Sequence, residues 1–180
     1  MGYDISVIDG RRAEWAAQAA QAELPDWEQL PPLDLYMDQV ILLLRRYLAP
    51  LSGDAEKSIT ASIINNYVRM RIIPPPVKKK YSRVHMAELI VLCTLKRSLS
   101  IACVRRLLPA QHEEKAVREL YEAFLFQFRQ VRDALTSPEK PGASLPLPAG
   151  EGELLLSAAL ISNLTVDLTE YLLAEPPAAT

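Results

Sequence analysis

Ser62, Asn65, Asn66 and Arg69 are the residues of this 180-residue chain whose types and spacing best suit a chemical task. On a helix they fall within roughly one third of the circumference, opposite Ile63, Ile64, Tyr67 and Met70. An Asn amide matches the edge of adenine, an Arg guanidinium matches guanine, and a Ser hydroxyl reaches a phosphate. Asn is a poor choice inside a helix for stability alone, so this face reads as a recognition surface for double-stranded DNA. Pro74, Pro75 and Pro76 end the helix and hold Lys78, Lys79 and Lys80 close behind it. Arg71, Tyr81, Arg83, Arg105 and Arg106 complete the candidate DNA contacts.

Charge segregation supports this reading. Between Lys57 and Arg106 eleven bases face one acid, Glu88, a balance of +10. Residues 1–56 hold four bases and ten acids, residues 107–180 five and eleven, so each flank sums to −6 and the chain to −2. Solvated helix faces normally mix signs, whereas a polyanion-binding surface gathers one sign.

Other functions find little support. His85 and His112 are the only histidines, sit on different segments, and have no spacing suited to a metal pair or a nucleophile and base. No Gly-rich phosphate loop occurs among the six glycines, and no cofactor or metal set is expected. Cys93 and Cys103 read as buried, reduced thiols. No run of about eighteen apolar residues and no leader-like start is present, so a cytoplasmic protein that is neither membrane-bound nor an enzyme is expected.

The elements that must position these residues are helical, and the expected fold class is all-α with at most a minimal wing hairpin. Three regions follow: a helical arm over 1–33, a DNA-binding domain over 34–109, and a helical dimerisation or effector region over 110–175 with a Pro-rich linker at 136–150. The arm holds a helix from Gly10 to Glu23 capped by Asp9, with Trp15 and Trp27 as anchors. Asp34 is expected to cap a helix to Leu48 that buries Met37, Val40, Ile41, Leu44, Tyr47 and Leu48, with Asp38, Arg45 and Arg46 outward. The recognition helix starts near Ser58 or Thr60 and ends before Pro74. Ser82 caps a broadly apolar central helix carrying Met86, Leu89, Ile90, Cys93 and Leu95, and Ser100 caps a short one with Val104 inward.

The long helix expected from Gln111 to Leu135 carries Val117, Tyr121, Phe124, Phe128, Val131 and Leu135 at spacings of four and three, the seam of a coiled coil. Its aromatic content suits packing against a helix group as well as pairing in a homodimer, and both stay open. The last helix, Glu151 to Leu173, presents Leu154, Ala158, Ile161, Leu164, Leu168 and Tyr171 on one face, widened by Leu155, Leu160 and Leu172. An unknown small-molecule effector could sit among Tyr121, Phe124, Phe126, Phe128 and Tyr171, although such residues are more often plain core.

Asn65-Asn66-Tyr67-Val68, Arg71-Ile72-Ile73-Pro74-Pro75-Pro76, Lys80-Tyr81-Ser82, Leu89 through Leu95, and Leu99-Ser100-Ile101 follow in an order that resembles the MerR-type winged helix-turn-helix of bacterial transcription regulators. Leu35-Tyr-Met-Asp-Gln-Val and Ile64-Asn-Asn-Tyr-Val further resemble an uncharacterised bacterial domain-of-unknown-function family with a MerR-like core. The resemblance implies that Ser62, Asn65, Asn66 and Arg69 lie on a recognition helix, that Lys78, Lys79 and Lys80 form a wing on phosphates, and that the long helix dimerises. Arg71 stands where MerR-type proteins have glycine, and Asn65-Asn66 replace an Arg-Tyr pair. A competing reading keeps the helical scaffold but makes it an adaptor whose basic segment binds an acidic protein.

Overall fold

A computed structural model describes residues 5–51, 59–137, 148 and 150–174 of the chain. The described residues form seven α-helices and no strand: α1 (Ile5–Ala20), α2 (Met37–Leu48), α3 (Ala61–Arg69), α4 (Arg83–Leu95), α5 (Ile101–Leu107), α6 (Glu114–Thr136) and α7 (Glu151–Leu173). The all-α expectation therefore holds. Most of the linker expected at 136–150 and the residues at 52–58 lie outside the described set.

The centre is α4, whose residues from His85 to Leu95 are all buried. It carries apolar residues around its whole circumference, so it can be covered on every side. Helices α2, α5, α6 and α7 pack against it, and α1 lies on α6 and α7. Ser82 is its N-cap residue, as expected. The imidazole Nδ1 of His85 accepts the Ser82 backbone N–H at 3.0 Å, doing what Glu or Gln does in a capping box.

Both tryptophans are anchors. Trp27 is buried edge-on against Tyr121, whose hydroxyl donates to the Pro25 carbonyl at 2.7 Å. Trp15 is buried and donates its indole N–H to Asp167 at 3.0 Å. The first helix begins at Ile5 and ends at Ala20, so Asp9 and Gly10 lie inside it and Asp9 caps nothing. A Cβ on Gly10 would meet nothing within 4 Å, so no close approach requires a glycine there.

Asp34 does not cap α2. Leu35 exchanges two 2.8 Å backbone hydrogen bonds with Tyr81 in an antiparallel bridge, which keeps the chain extended through Tyr36. The helix can start only at Met37, where the Gln39 side chain accepts the Tyr36 N–H at 2.9 Å. Val40, Leu44 and Leu48 are buried, while Arg45 turns back, half-buried, to donate to the Ile59 carbonyl rather than facing out.

Two polar pairs decide which side of α7 is inside. Ser157 donates to Gln127 of α6 at 2.6 Å, and Asn163 donates to the Thr94 carbonyl of α4 at 2.7 Å, all within the core. Buried polar groups must be satisfied, so these pairs set the helix rotation. Leu156, Ala159, Leu160 and Leu164 go inside with them. Leu154, Leu155 and Ala158, expected inside, are exposed, Leu155 at 59%.

The seam of α6 is buried within the chain. Val117, Tyr121, Phe124, Phe128 and Val131 belong to the core and Leu135 is half-buried against it. In this fold those side chains face the chain's own helices, so they are not open to a second copy. Phe126 alone of the aromatic set is 59% exposed. No described helix is long and apolar enough to cross a membrane.

Candidate nucleic-acid interface

Thr60 starts α3 as its N-cap, its hydroxyl accepting the Ile63 N–H at 3.3 Å. The helix buries Ile64 and Tyr67 and presents Ser62, Asn65, Asn66 and Arg69 around one shallow surface depression, Asn66 being half-buried. These four residues share one face, as their spacing predicts. Met70, expected on the inner face, is 43% exposed and receives a weak contact from the Asn66 amide at 3.4 Å. Arg69 donates to Asn66 Oδ1 at 2.7 Å, so the two side chains are already aligned with each other.

The helix stops at Arg69, before the prolines. Arg71 donates its N–H to the Val68 carbonyl and Ile72 donates to that of Tyr67, each at 3.0 Å. This is a Schellman stop, and Arg71 occupies its left-handed position at φ 54°, where glycine is favoured. A non-glycine residue there costs on the order of 1 kcal/mol. Ile72 and Ile73 then enter the core, anchoring the stop from below.

After the prolines, Val77 and Lys80 exchange backbone hydrogen bonds of 3.1 and 2.9 Å around a two-residue loop. Lys78 and Lys79 hold φ of 50° and 66°, the type I′ geometry for which Asn-Gly is the ordinary choice. Both are exposed, and Lys80 turns its ammonium over the Tyr36 ring, 5.3 Å from the centroid. The loop is a hairpin of minimal size, with two lysines at the positions that resist side chains most.

Arg71, Arg105 and Arg106 come together around a second cleft, described below. Ser100 caps α5 by accepting the Cys103 N–H at 3.3 Å, and Val104 is buried. Arg105 and Arg106 are exposed. Tyr81 is not a surface residue: its ring is 2% exposed and packs edge-on against His85. Arg83 is not free either, since it sits over Trp27 and pairs with Glu28 at 3.6 Å. Arg118 covers the same indole, 5.9 Å from the ring centroid, and pairs with the same carboxylate at 3.1 Å. Arg97, counted among the bases of the positive segment, pairs with Asp167 at 2.8 Å and with Glu170.

Sequence reasoning also missed the pairing of the one acid in that segment. Glu88 is fully buried in α4 and hydrogen-bonded to His112 Nδ1 at 2.5 Å, while its Oε2 has no partner. Burial raises its pKa, opposed by the bond to His112. His85, one turn earlier, has its pKa lowered by burial, against the opposing effect of the Pro75 and Pro74 backbone, and its Nε2 is buried without a hydrogen bond. His112 is held at φ 54° ahead of α6, which starts at Glu114 rather than Gln111. No local spacing signals this pairing, because Glu88 and His112 stand 24 residues apart on different segments. Cys93 is buried, its thiol pushed up to about 11 by burial, whereas Cys103 is exposed, contrary to expectation.

The family model described as Domain of unknown function (DUF1836) matches residues 25–124, more than half of the chain, which therefore belongs to that family. The match spans α2 through α5 and the first half of α6, and leaves α1 and α7 outside. Neither the curated proteins nor the solved structures contain a match to this chain.

Proposed function

We propose that this member of the DUF1836 family is a non-enzymatic, sequence-specific DNA-binding regulator of the MerR type, with α3 as its reading helix and the lysine turn as its wing. One observation carries the reading. Lys78 and Lys79 fill both left-handed positions of a two-residue turn at the surface, where glycine or asparagine would fold more easily. A strained backbone kept with two cations argues that their charge is what the position is for.

The mechanism divides the labour. Lys78, Lys79, Arg105 and Arg106 neutralise phosphates and set register without reading sequence. Asn65 and Arg69 are exposed and read base edges, and Asn66 helps by holding Arg69 through their mutual hydrogen bond. Tyr81 and Arg83 act indirectly, through the core and through Trp27 and Glu28. Binding as a dimer needs a surface other than the α6 seam.

The test is selection from fragmented genomic DNA with the wild-type chain beside a variant in which Asn65, Asn66 and Arg69 are changed to Ala. The reading expects a few related, two-fold symmetric sites that disappear in the variant. Replacing Lys78, Lys79 and Lys80 together should reduce the salt slope of binding by up to about 3, at ~0.9 per phosphate contact. Equal recovery of all fragments would leave only a basic surface. No recovery at low salt would overturn the reading in favour of an adaptor that takes an acidic protein.

A further inference from the structure

Arg71, Arg105, Arg106 and His112 line a cleft of about 280 Å³ together with Ile72, Leu108, Pro109 and Ala110. The three guanidinium groups come from the end of α3 and from α5, segments more than thirty residues apart in the chain. None of the three forms an ion pair among the described residues, unlike Arg83, Arg97 and Arg118. Like charges gathered without an acid between them repel, and an anion relieves that repulsion.

The backbone of the cleft points the same way. Arg71 and His112 are both held at φ 54°, and these are two of the four described non-glycine residues with positive φ. Behind His112 lies Glu88, fully buried, with Oε1 on His112 Nδ1 and the other oxygen unpartnered. A carboxyl group hydrogen-bonded to one ring nitrogen fixes the orientation of an imidazole and leaves the opposite nitrogen for a ligand. The cleft floor is apolar at Ile72 and Leu108, which keeps the arginines from water on that side. At ~30 Å³ per water, the space holds a phosphate group and a few waters.

We propose that this cleft is a phosphate-binding site, in which Arg71, Arg105 and Arg106 bind the oxygens and His112, oriented by Glu88, supplies a further hydrogen bond. Arginine is suited to this task because its planar fork grips two oxygens at once. The site goes beyond the DNA reading and stands without it, since a phosphate is recognised alike on a duplex backbone and on a free phosphorylated molecule. The ionisable groups around His112 are Glu88 and His85 on α4, Arg71 beyond α3, and Arg105 and Arg106 on α5.

The test is an NMR titration of the full chain with inorganic phosphate at constant ionic strength, following the arginine Nε–Hε and His112 ring signals. Saturable shifts at Arg71, Arg105, Arg106 and His112 are expected. Arg105→Ala and Arg106→Ala should each weaken binding by ~10-fold or more, the loss of a charge-assisted hydrogen bond. Arg46→Ala, an exposed arginine lining a different depression, should leave it unchanged. His112→Ala should weaken binding as well, by less than the loss of either guanidinium. Absence of saturable shifts, or equal affinity in the arginine variants, would overturn the site. Adding duplex DNA then tells the sources apart: displacement of phosphate identifies the DNA backbone as the natural occupant, and phosphate retained on the DNA-bound protein identifies a free phosphorylated ligand.

Discussion

The α3 and lysine-turn region and the seam around Arg97 draw on the same basic stretch of sequence and use its charge in opposite ways. Arg69, Lys78 and Lys79 are exposed, and among the described residues Arg69 bonds only to the neutral amide of Asn66. Arg97 is about four-fifths removed from solvent and meets Asp167, Glu170 and the Leu51 carbonyl. Asp167 in turn accepts from Trp15, so one carboxylate ties α1, the α4–α5 turn and α7 together. The first region leaves its charge at the surface, the second absorbs it in holding the chain together. Net charge along a sequence therefore overstates the surface available to a partner.

The largest effect should come from breaking the second region. Asp167→Ala leaves a half-buried guanidinium and a buried indole N–H without their carboxylate, and should lower stability by about 2–3 kcal/mol in chemical denaturation. DNA affinity of the folded protein should not change. A loss below ~0.5 kcal/mol would mean that the seam contributes no more than an ordinary surface pair.

Next, Arg69→Ala should reverse that outcome, weakening preferred DNA sites by ~1–3 kcal/mol while stability moves by less than ~0.5 kcal/mol. An equal loss on every sequence would remove Arg69 from base reading and leave it a phosphate contact. Lys79→Gly sharpens the contrast within the first region alone. Glycine suits the left-handed position, so the variant should be about 0.5–1 kcal/mol more stable. It should also bind DNA with a salt slope reduced by ~0.9. If the denaturation midpoint falls instead, the lysine backbone is unstrained and the argument from strain fails.

The smallest effect concerns pH. Burial lowers the pKa of His85 from its ordinary 6.5, so the unfolded chain takes up a proton at higher pH than the folded one. Stability linked to His85 is thus complete above about 6.5 and declines as pH falls through the lowered value. Gln at this position keeps an acceptor for the Ser82 N–H, so His85→Gln should flatten that acid limb in a comparison of melting curves. Glu88 acts in the opposite direction, its raised pKa meaning that its contribution is present below 4.5 and lost as pH rises through the raised value. An acid limb identical in His85→Gln and wild type would show that His85 does not titrate over that range.

Much of the local architecture was legible. Ser82 and Ser100 announce helix starts because an N-cap is a local hydrogen-bonding requirement, and the α7 limits of Glu151 and Leu173 agree with the expected ones. The α3 face was legible because helical periodicity fixes angles without reference to the rest of the fold. Errors arose wherever a distant segment intervened. The start of α2 depends on Leu35 pairing with Tyr81, and the rotation of α7 depends on Gln127 and the Thr94 carbonyl, none of which its own sequence contains.

The sequence by itself determined that the chain is helical, that its positive charge is gathered at 57–106, and that Ser62, Asn65, Asn66 and Arg69 share a face, because propensity, charge count and helical period are properties of neighbours. Only the tertiary structure decided which cations stay exposed, that the α6 seam is buried within the chain, and that Glu88 meets His112 beside three arginines. Those outcomes depend on residues dozens of positions apart competing for the same partners and the same shelter from water, and that competition is resolved only when the helices pack.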